Sequence, residues 1–341
     1  MSQELNEDTD MFRRLCIAVV MVYVSGLGAL TLLWGLGADR FWWLALLNMF
    51  GTWLFVPAAL VPLAALLLRS RWLAAGAAIG LLWFLVGALP GLLPQSGAAA
   101  RLETQTLRVV SANILYSNRT PDETAAAIVA LNADILAIQE LAPDGAAALN
   151  AALGTTLPYR FELATYGASG FGIYSRYPIT IESSPVGVRL LQAQIDVNGQ
   201  PITLFNVHPT VPSFSRGRFT PRMSTRARDS ELTALLRVLD ATQGMVIVAG
   251  DLNTAEREPQ LARFRTRLTD TFRATNIGPG FSFPNPGATR NYPVPLIRLD
   301  YIWTSPAIIP TSAAVHCERV GTDHCWTHAD LVLPGAVQAG R

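Results

Sequence analysis

Three long apolar runs dominate the first 93 residues of the chain. They cover residues 15–37, 42–68 and 72–93, and each has at least the roughly 20 residues that a helix needs to cross the hydrocarbon core of a bilayer. A signal peptide or a core helix would explain one such run, but not three in succession. The pattern therefore predicts three transmembrane helices over residues 15–93, after a polar head at residues 1–14 that begins with a disordered acidic segment.

Arginines flank these runs unevenly. Arg13 and Arg14 precede the first run and Arg69 and Arg71 separate the second from the third, whereas the loop between the first two runs holds one arginine beside an aspartate. The positive-inside rule then places the N-terminus in the cytoplasm and everything after residue 93 outside. We expect an integral protein of a bacterial-type inner (plasma) membrane, which contacts the lipid bilayer through three helices and carries its following domain on the extracytoplasmic side.

Short elements of alternating type replace the long runs after a small-residue linker at residues 94–105. Thr120, Pro121 and Glu123 begin a helix, a second helix covers residues 230–240, and Asn198-Gly199 is typical of a two-residue hairpin turn. Short apolar stretches predict strands at residues 107–115, 134–138, 172–179, 190–197, 201–207, 245–249 and 298–303. This order predicts an α/β domain over residues 106–335 and a tail at residues 336–341.

The charge of this domain is nearly balanced. The chain has 26 basic residues, all arginine, and 25 acidic ones, and five of each kind lie before Arg101, which leaves 21 and 20. A nonspecific DNA-binding domain would carry a strongly basic surface, which this balance does not supply. One segment at residues 212–228 is nevertheless rich in arginine, and it is either a solvated loop and helix face or a patch for anionic phosphate or lipid headgroups. Its arginines are Arg216, Arg218, Arg222, Arg226 and Arg228.

Polar side chains follow several of the predicted strands. Asp251 and Asn253 follow the strand at 245–249, Glu140 follows the strand at 134–138, and His208 follows the strand at 201–207. Each also has a simpler explanation when it is taken alone. Asp251 and Asn253 could form an Asx turn, Glu140 could be a surface carboxylate, and His208 could be a structural histidine. Their repetition at successive strand ends predicts one common site.

The order and spacing of these residues resemble the motifs of the endonuclease/exonuclease/phosphatase superfamily, which has the pancreatic-deoxyribonuclease-like fold. The resemblance covers residues 107–333 and includes an adjacent Asp-His pair near the C-terminus. Its motifs are Asn113, Gln139-Glu140, residues 172–178, Asn206 to His208, Gly250 to Asn253, Asp300-Tyr301 and Asp323-His324. The resemblance implies a four-layer α/β sandwich, in which two mixed β-sheets pack face to face and are flanked by helices.

The resemblance also implies a divalent-metal-dependent phosphoesterase. Glu140 would be the main ligand of Mg²⁺ or Mn²⁺, helped by Asn113, and Asp323 would lie near the metal or the attacking water, since hard cations prefer oxygen ligands. The expected substrate is a phosphodiester or phosphomonoester in nucleic acid or in a phospholipid headgroup, and no protein partner is expected. The alternative is a catalytically silent membrane receptor or scaffold that retained the fold.

Further roles follow from the same resemblance. Asp251 would orient or deprotonate the attacking water, and Asn253 would hold phosphate. His324 would donate a hydrogen bond to a phosphoryl oxygen, with its tautomer fixed by Asp300. His208 would be a second donor to phosphate.

The C-terminal motif departs from the family pattern, which is Ser-Asp-His followed by any residue, Pro and Val. The chain keeps the acid and the imidazole in Thr322-Asp323-His324 but lacks the Pro-Val. Residues 327–330, Thr-His-Ala-Asp, offer an alternative alignment in inverted order. We prefer Asp323-His324, because residues 329–331 then fall on the closing strand.

Two of the three cysteines lie close together near the C-terminus. Outside the cytoplasm, Cys317 and Cys325 could form a disulfide. With His316 and His324 they also make a zinc-like quartet, although zinc would then consume His324 and the spacing matches no common structural site. Both interpretations stay open in the sequence.

Overall fold

The computed structural model describes residues 2–37, 41–94, 106–182, 189–216, 221–287 and 292–334 of the chain. It divides into two compact units, Met1–Leu93 and Pro94–Arg341. Most of the predicted linker at residues 94–105 and the predicted tail at residues 336–341 lie outside the described residues.

Two helices of the first unit are long and apolar enough to cross a membrane. They cover Asp10–Gly35 within α1 (Ser2–Gly35) and Arg71–Gly91, which begins with α5 (Arg71–Gly87). A third candidate joins Trp42–Met49 to Gly51–Leu67 and is bent by 75° at its break. By length and composition, the unit therefore has two possible membrane spans, or three if the bent pair is one span.

The start of the chain is helical, not disordered as predicted. α1 begins at Ser2 and continues through the acidic segment into the first apolar run. The segment contains neither proline nor glycine, and it leads directly into a long helix, so that each of its residues extends an existing ladder of hydrogen bonds.

The second apolar run is also not the single helix that the pattern predicted. It divides into α2 (Trp42–Met49), α3 (Gly51–Phe55), a 3₁₀ turn at Val56–Leu60 and α4 (Val61–Leu68). Pro57 and Pro62 have no N–H to donate, so the regular helical ladder cannot continue through them. The Tyr23 hydroxyl donates to the carbonyl of Leu54 at 2.6 Å, which satisfies one backbone group near the break.

Two six-stranded β-sheets form the centre of the second unit. The strands are β1 (Thr106–Asn113), β2 (Ile135–Gln139), β3 (Tyr159–Leu163), β4 (Phe171–Ser175), β5 (Ile179–Ile181), β6 (Leu190–Val197), β7 (Gln200–Val207), β8 (Ser213–Arg216), β9 (Pro221–Ser224), β10 (Met245–Asp251), β11 (Thr269–Asp270), β12 (Asp300–Thr304), β13 (Ile309–His316) and β14 (Trp326–Val332). The helices are α6 (Pro121–Val129), α7 (Pro143–Leu153), α8 (Arg226–Ala241), α9 (Pro259–Arg265) and α10 (Thr271–Thr275). The sheet orders are β13-β14-β1-β2-β4-β3 and β11-β12-β10-β7-β6-β5.

Both sheets are mixed. β1 pairs in parallel with β2 and β7 in parallel with β10, whereas neighbours such as β1 and β14 or β10 and β12 are antiparallel. One apolar core, which includes Val109 and Ile247, joins strands of both sheets. A second core packs α6 and α7 on the first sheet, and a third packs α8 and α9 on the other. The predicted α/β fold with two mixed sheets flanked by helices is confirmed.

The register of the central strands brings polar residues together. Asn113 ends β1, and Asp251 at the end of β10 lies opposite Asp300 at the start of β12. Gly250, with a φ of 152°, allows β10 to lie close to β7, since a Cβ at this position would be 1.9 Å from the carbonyl oxygen of Val207. Any other residue would push these strands apart next to Asp251.

A buried hydrogen-bond network joins the two sheets behind these strand ends. Gln139 Nε2 donates to Asn206 Oδ1 at 2.8 Å, and Asn206 Nδ2 donates to the carbonyls of Ile138 and Gly172 at 2.9 Å each. Both side chains are fully buried, and they satisfy each other and the backbone. These two members of the sequence motifs therefore hold the sheets together.

Candidate active site

Six of the predicted site residues are linked by contacts of 3.6 Å or less. They come from both sheets, and each lies at or near the end of a strand. They are Asn113, Glu140, His208, Asp251, Asp300 and His324. The strand ends that the sequence singled out thus meet at one edge of the sandwich.

Asn113 lies between the carboxylates of Glu140 and Asp251. Its Nδ2 is 3.2 Å from Glu140 Oε1 and 3.2 Å from Asp251 Oδ2, and Glu140 Oε2 accepts the N–H of Tyr116 at 3.2 Å. Because Asn113 Oδ1 accepts the N–H of Leu115 at 3.1 Å, its use as a metal ligand would require the amide to turn over. Glu140 has a φ of 57°, which is uncommon for a residue other than glycine and is characteristic of functional sites.

Asp251 is the centre of the group. Its Oδ1 accepts the N–H of Asn253 at 2.8 Å, and its Oδ2 lies 3.5 Å from His324 Nε2 and 3.6 Å from His208 Nε2. Burial raises the pKa of Asp251, although the neighbouring His324 opposes this shift. A carboxylate with a raised pKa is a stronger proton acceptor, which suits a residue that faces an attacking water.

His324 and Asp300 form a hydrogen-bonded pair. His324 Nδ1 donates to Asp300 Oδ2 at 2.9 Å, so that Nε2 is directed towards Asp251. Burial alone would lower the pKa of His324, but the charges of Asp300 and Asp251 raise it to about 10. The ring is therefore doubly protonated at neutral pH and can donate a hydrogen bond from Nε2.

Ser282 supports this pair through Asp300. Its hydroxyl donates to Asp300 Oδ2 at 2.6 Å and accepts the N–H groups of Leu299 at 3.0 Å and Asp300 at 3.1 Å. The next residue, Phe283, packs its ring on His324 with the centroids 4.8 Å apart. Asp300 is therefore held in place by both Ser282 and His324.

Replacement of Ser282 by alanine is expected to lower kcat about 10-fold with little change in KM, since a hydrogen bond to a charged group is worth about 1.5–3 kcal/mol. The measurement is steady-state hydrolysis of a phosphoester, the activity that the sequence resemblance implies. Ser305→Ala is the matched control, because Ser305 is also buried and its hydroxyl accepts the N–H of Val246 at 3.0 Å. Equal losses in the two variants would show that Ser282 acts on folding alone.

His208 also lies next to Asp251. Its Nδ1 is 3.0 Å from the carbonyl oxygen of Ala168, and its Nε2 is 3.6 Å from both Glu140 Oε1 and Asp251 Oδ2. Burial lowers the pKa of His208 to about 4. A neutral ring that donates from Nδ1 to Ala168 has an acceptor at Nε2, so the predicted donation to phosphate requires a second proton.

Asn253 and Asp323 complete the predicted set. Asn253 has a φ of 49°, and its Nδ2 donates to the carbonyl of Pro209 at 3.0 Å. Asp323 precedes His324 and is half-buried, and within the described part of the chain its carboxylate forms no hydrogen bond or ion pair. Both oxygens of Asp323 are therefore available to water or to a ligand.

Arg189 is a residue of this region that sequence reasoning missed, as was Ser282. Its guanidinium donates to the carbonyl of Ala168, and its Nη2 lies 3.4 Å from His208 Nδ1. The predicted hairpin could have indicated it, since the pairing of Leu190 with Val207 puts the residues just beyond them next to each other. Ser282 stands in a loop and carries no comparable signal.

The two cysteines near the C-terminus form a disulfide. The zinc-like quartet is not formed, since His324 is paired with Asp300 and His316 Nε2 lies 2.7 Å from His328 Nδ1. The alternative alignment on residues 327–330 would make His328 the histidine of the site, but His328 is paired with His316 instead. The acid of that alignment, Asp330, instead binds the guanidinium of Arg108.

Acidification below about pH 6.5 is expected to destabilise the fold through His316 and His328. Burial lowers the pKa of both rings, so the unfolded chain binds more protons than the folded one as the pH falls. Their contribution is fully present above the unfolded pKa and is lost below it. Thermal unfolding of the full chain from about pH 6.5 to pH 5 should follow this slope, to which the lowered pKa of His208 also contributes, and the double variant His316→Gln/His328→Gln should make the slope shallower. An unchanged slope would contradict the assignment.

The donor set fits a divalent cation. Asp251, Asp300 and His324 have potential ligand atoms within 4.8 Å of one another, but a doubly protonated His324 has no lone pair for a metal, which leaves the carboxylates; Asp300 Oδ1 is buried with no hydrogen bond from a described residue. The Asp300–His324 hydrogen bond occupies one side of this cluster. Glu140 is the better ligand, because within the described residues its carboxylate contacts Asn113, Tyr116 and His208 and keeps free lone pairs.

Comparisons with known proteins agree with this geometry. A family model described as "Endonuclease/Exonuclease/phosphatase family" matches residues 110–324. An endonuclease/exonuclease/phosphatase family protein from Bacteroides thetaiotaomicron is similar to the chain at 14% identity and a TM-score of 0.52, over 69% of this chain and 100% of that chain. D. rerio TDP2 complexed with a single-strand DNA product is similar at 20% identity and a TM-score of 0.50, over 67% of this chain and 99% of that chain. A B. thetaiotaomicron mannosyl-6-phosphatase is similar at 15% identity and a TM-score of 0.51, over 67% of this chain and 100% of that chain. No curated protein sequence matches significantly.

Proposed function

Because the chain belongs to the endonuclease/exonuclease/phosphatase family, we propose that it is a membrane-anchored, divalent-metal-dependent phosphoesterase. The observation that carries this proposal is the meeting of Glu140 with the buried Asp251 and the buried Asp300–His324 pair in one site. A receptor that had lost catalysis would have no need to keep every one of these polar strand ends.

Phosphoester hydrolysis requires an oriented water and donors for the charge that develops on phosphate. Asp251 accepts the proton of the attacking water or orients it, since its Oδ1 is fixed by the N–H of Asn253 and its Oδ2 faces the site. His324 donates from Nε2 to a phosphoryl oxygen, and Asp300 holds the ring in that orientation through Nδ1.

Glu140 would hold the cation, which is Mg²⁺ or Mn²⁺, with Asp323 beside it, and the neighbouring carboxylate of Asp251 stays free to accept the proton of the water. A bound divalent cation supplies positive charge to the phosphate and its leaving oxygen. Asn113 keeps the two carboxylates in place through its amide nitrogen, or binds the cation through Oδ1 if the amide turns over. His208 and Asn253 line the phosphate position.

The proposed enzyme is anchored in a bacterial-type inner (plasma) membrane with its catalytic domain on the extracytoplasmic side. The apolar N-terminal helices and the uneven distribution of arginines support the anchor and its orientation. The disulfide between Cys317 and Cys325 suits an oxidising compartment.

The substrate is a phosphodiester or a phosphomonoester of nucleic acid or of a phospholipid headgroup. The similar proteins include one solved with a DNA product and one that is a sugar phosphatase, so this fold serves different substrates. The substrate must therefore be identified by experiment.

The test is hydrolysis by the full chain in detergent of duplex DNA, RNA, phosphatidylinositol phosphates, sphingomyelin and a chromogenic phosphodiester. Each reaction is run with Mg²⁺, with Mn²⁺ and with chelator. Metal-dependent turnover of one class supports the proposal and identifies the substrate. The absence of turnover on every substrate, together with the absence of metal binding by calorimetry, would favour the receptor.

A further inference from the structure

The disulfide bridge closes the connection between β13 and β14. Cys317 is the first residue after β13 and Cys325 is the last residue before β14, and the two are eight positions apart. The backbone pair nearest to this connection is His316 with Trp326, so the bridge stands where the next cross-strand pair would be. His324 lies inside the loop that the bridge closes, next to the buried Cys325.

The position of this loop determines whether His324 can pair with Asp300. Asp300 begins β12 in one sheet, whereas His324 belongs to a connection of the other sheet, so their hydrogen bond of 2.9 Å joins two separate parts of the sandwich. A misplacement of about 1 Å in a catalytic group can cost about 10²-fold in rate. Whatever fixes the connection therefore also sets the geometry of the site.

Hydrogen bonds hold the connection from two directions. Thr322 Oγ1 accepts the N–H of His324 at 3.2 Å and donates to the carbonyl of Asn113 at 2.8 Å. The buried Asn285 has its Nδ2 at 2.8, 3.2 and 3.3 Å from the carbonyl oxygens of Glu318, Thr322 and His324. Asn285 itself lies in the loop between α10 and β12. The bridge differs from these contacts because it is covalent and joins the two strand ends directly.

Cys325 is also connected to the other member of the pair. Its N–H donates to the carbonyl of Ser282 at 2.7 Å, and the Ser282 hydroxyl donates to Asp300 at 2.6 Å. Cys325 is therefore adjacent to His324 in the chain and is linked to Asp300 through one residue. A displacement of Cys325 would disturb both partners of the pair.

We propose that the bridge between Cys317 and Cys325 is a positioning element of the active site, which holds His324 against Asp300 and gives the enzyme its full kcat. The inference rests on the proposed phosphoesterase function. The two cysteines act through His324 and are not themselves catalytic residues. Without the bridge, the connection gains conformational freedom beyond the last strand pair, and His324 spends less time in the arrangement that Asp300 supports.

The bridge closes by thiol–disulfide exchange with a disulfide of the compartment, written RSSR. The thiolate of the exposed Cys317 attacks RSSR and displaces one RS⁻, and the thiolate of Cys325 attacks the mixed disulfide and displaces the second. The two cysteine thiols are oxidised, RSSR is reduced to two RSH, and the two protons end on these thiols. An oxidising compartment supplies such a disulfide, whereas the cytoplasm keeps thiols reduced. The site would therefore reach full activity on the extracytoplasmic side.

The test uses the full chain in detergent and in a Cys16→Ser background, so that only the two cysteines of the bridge remain. Cys317→Ser opens the bridge at its exposed end and leaves the buried Cys325 in place. We expect kcat for the phosphoester that the protein hydrolyses best to fall about 10- to 100-fold, with little change in KM. Dithiothreitol should cause the same loss in the parent protein, reversed by oxidised glutathione, and no loss in Cys317→Ser.

The variant His324→Gln distinguishes positioning from a general effect on the fold. If the bridge acts through His324, opening it costs nothing further in this background. An unchanged kcat in Cys317→Ser overturns the inference, and so does an equal fractional loss with and without His324. Unfolding of Cys317→Ser at the assay temperature would assign its loss to the fold and would also overturn it.

Amide hydrogen exchange tests the positioning without any activity. Opening the bridge should accelerate exchange at residues 322–325 and leave the central strand β10 unchanged. Unchanged exchange at residues 322–325, or equal acceleration in β10, contradicts the inference. If the parent protein hydrolyses no phosphoester of any kind, the proposed function fails, whereas the exchange result still decides whether the bridge holds His324.

Discussion

Replacing Glu140 by glutamine is expected to lower the kcat/KM of metal-dependent phosphoester hydrolysis by about 10³-fold, since a bound metal contributes several kcal/mol to the transition state. The substitution preserves the size of the side chain and removes the charge that attracts the cation. Glutamine can still accept the N–H of Tyr116, so we expect the fold to be retained. Hydrolysis at increasing Mg²⁺ or Mn²⁺ and calorimetric metal binding are the two measurements.

The matched control for this variant is Glu123→Gln on the surface of α6, which removes the same charge from a residue that contacts none of the six linked site residues. Full activity of the Glu140→Gln variant with unchanged metal affinity would remove Glu140 from the site. A parallel loss in the control would assign the effect to net charge. Thermal unfolding of both variants is measured as well, so that a loss of activity can be distinguished from a loss of folded protein.

The strand-end residues could be predicted because two independent patterns agree on them. Apolar runs locate the strands, and Glu140, His208 and Asp251 each follow such a run directly. Parallel pairing of β1 with β2 and of β7 with β10 then brings their carboxyl ends to one edge. A catalytic site at that edge could be predicted because carboxylates and a histidine follow one strand after another.

Contacts that depend on a distant partner could not be predicted. Arg228 lies in an arginine-rich segment, and its sequence context predicts a surface residue. It is instead buried and hydrogen-bonded to Glu258, which is 30 residues further along the sequence. Ser282 bonds Asp300 across 18 positions, and a single serine in a loop has no period or spacing that would reveal this. Such pairs are fixed by the folded arrangement of loops, which local propensity does not encode.

Replacing His324 by glutamine is expected to lower kcat by about 10³-fold, in the range found for the loss of a positioned acid–base group. Asp300→Asn is expected to cost about 10²-fold, because the imidazole remains but its orientation and charge are no longer supported. The double variant should be no slower than His324→Gln alone, since Asp300 acts through His324. Asp122→Asn on the surface of α6 serves as the control for the removal of an aspartate charge.

The pH dependence of the Asp300→Asn variant distinguishes this pair from two independent residues. The charges of Asp300 and Asp251 raise the pKa of His324 to about 10 against the effect of burial. Removal of the Asp300 charge lowers this pKa, so His324 loses its second proton, and with it the donor at Nε2, at a lower pH. The alkaline limb of the kcat profile should therefore move to lower pH in Asp300→Asn and should not move in Asp122→Asn. If the limb stays in place while kcat falls, Asp300 supports the fold of the site and not the charge of His324.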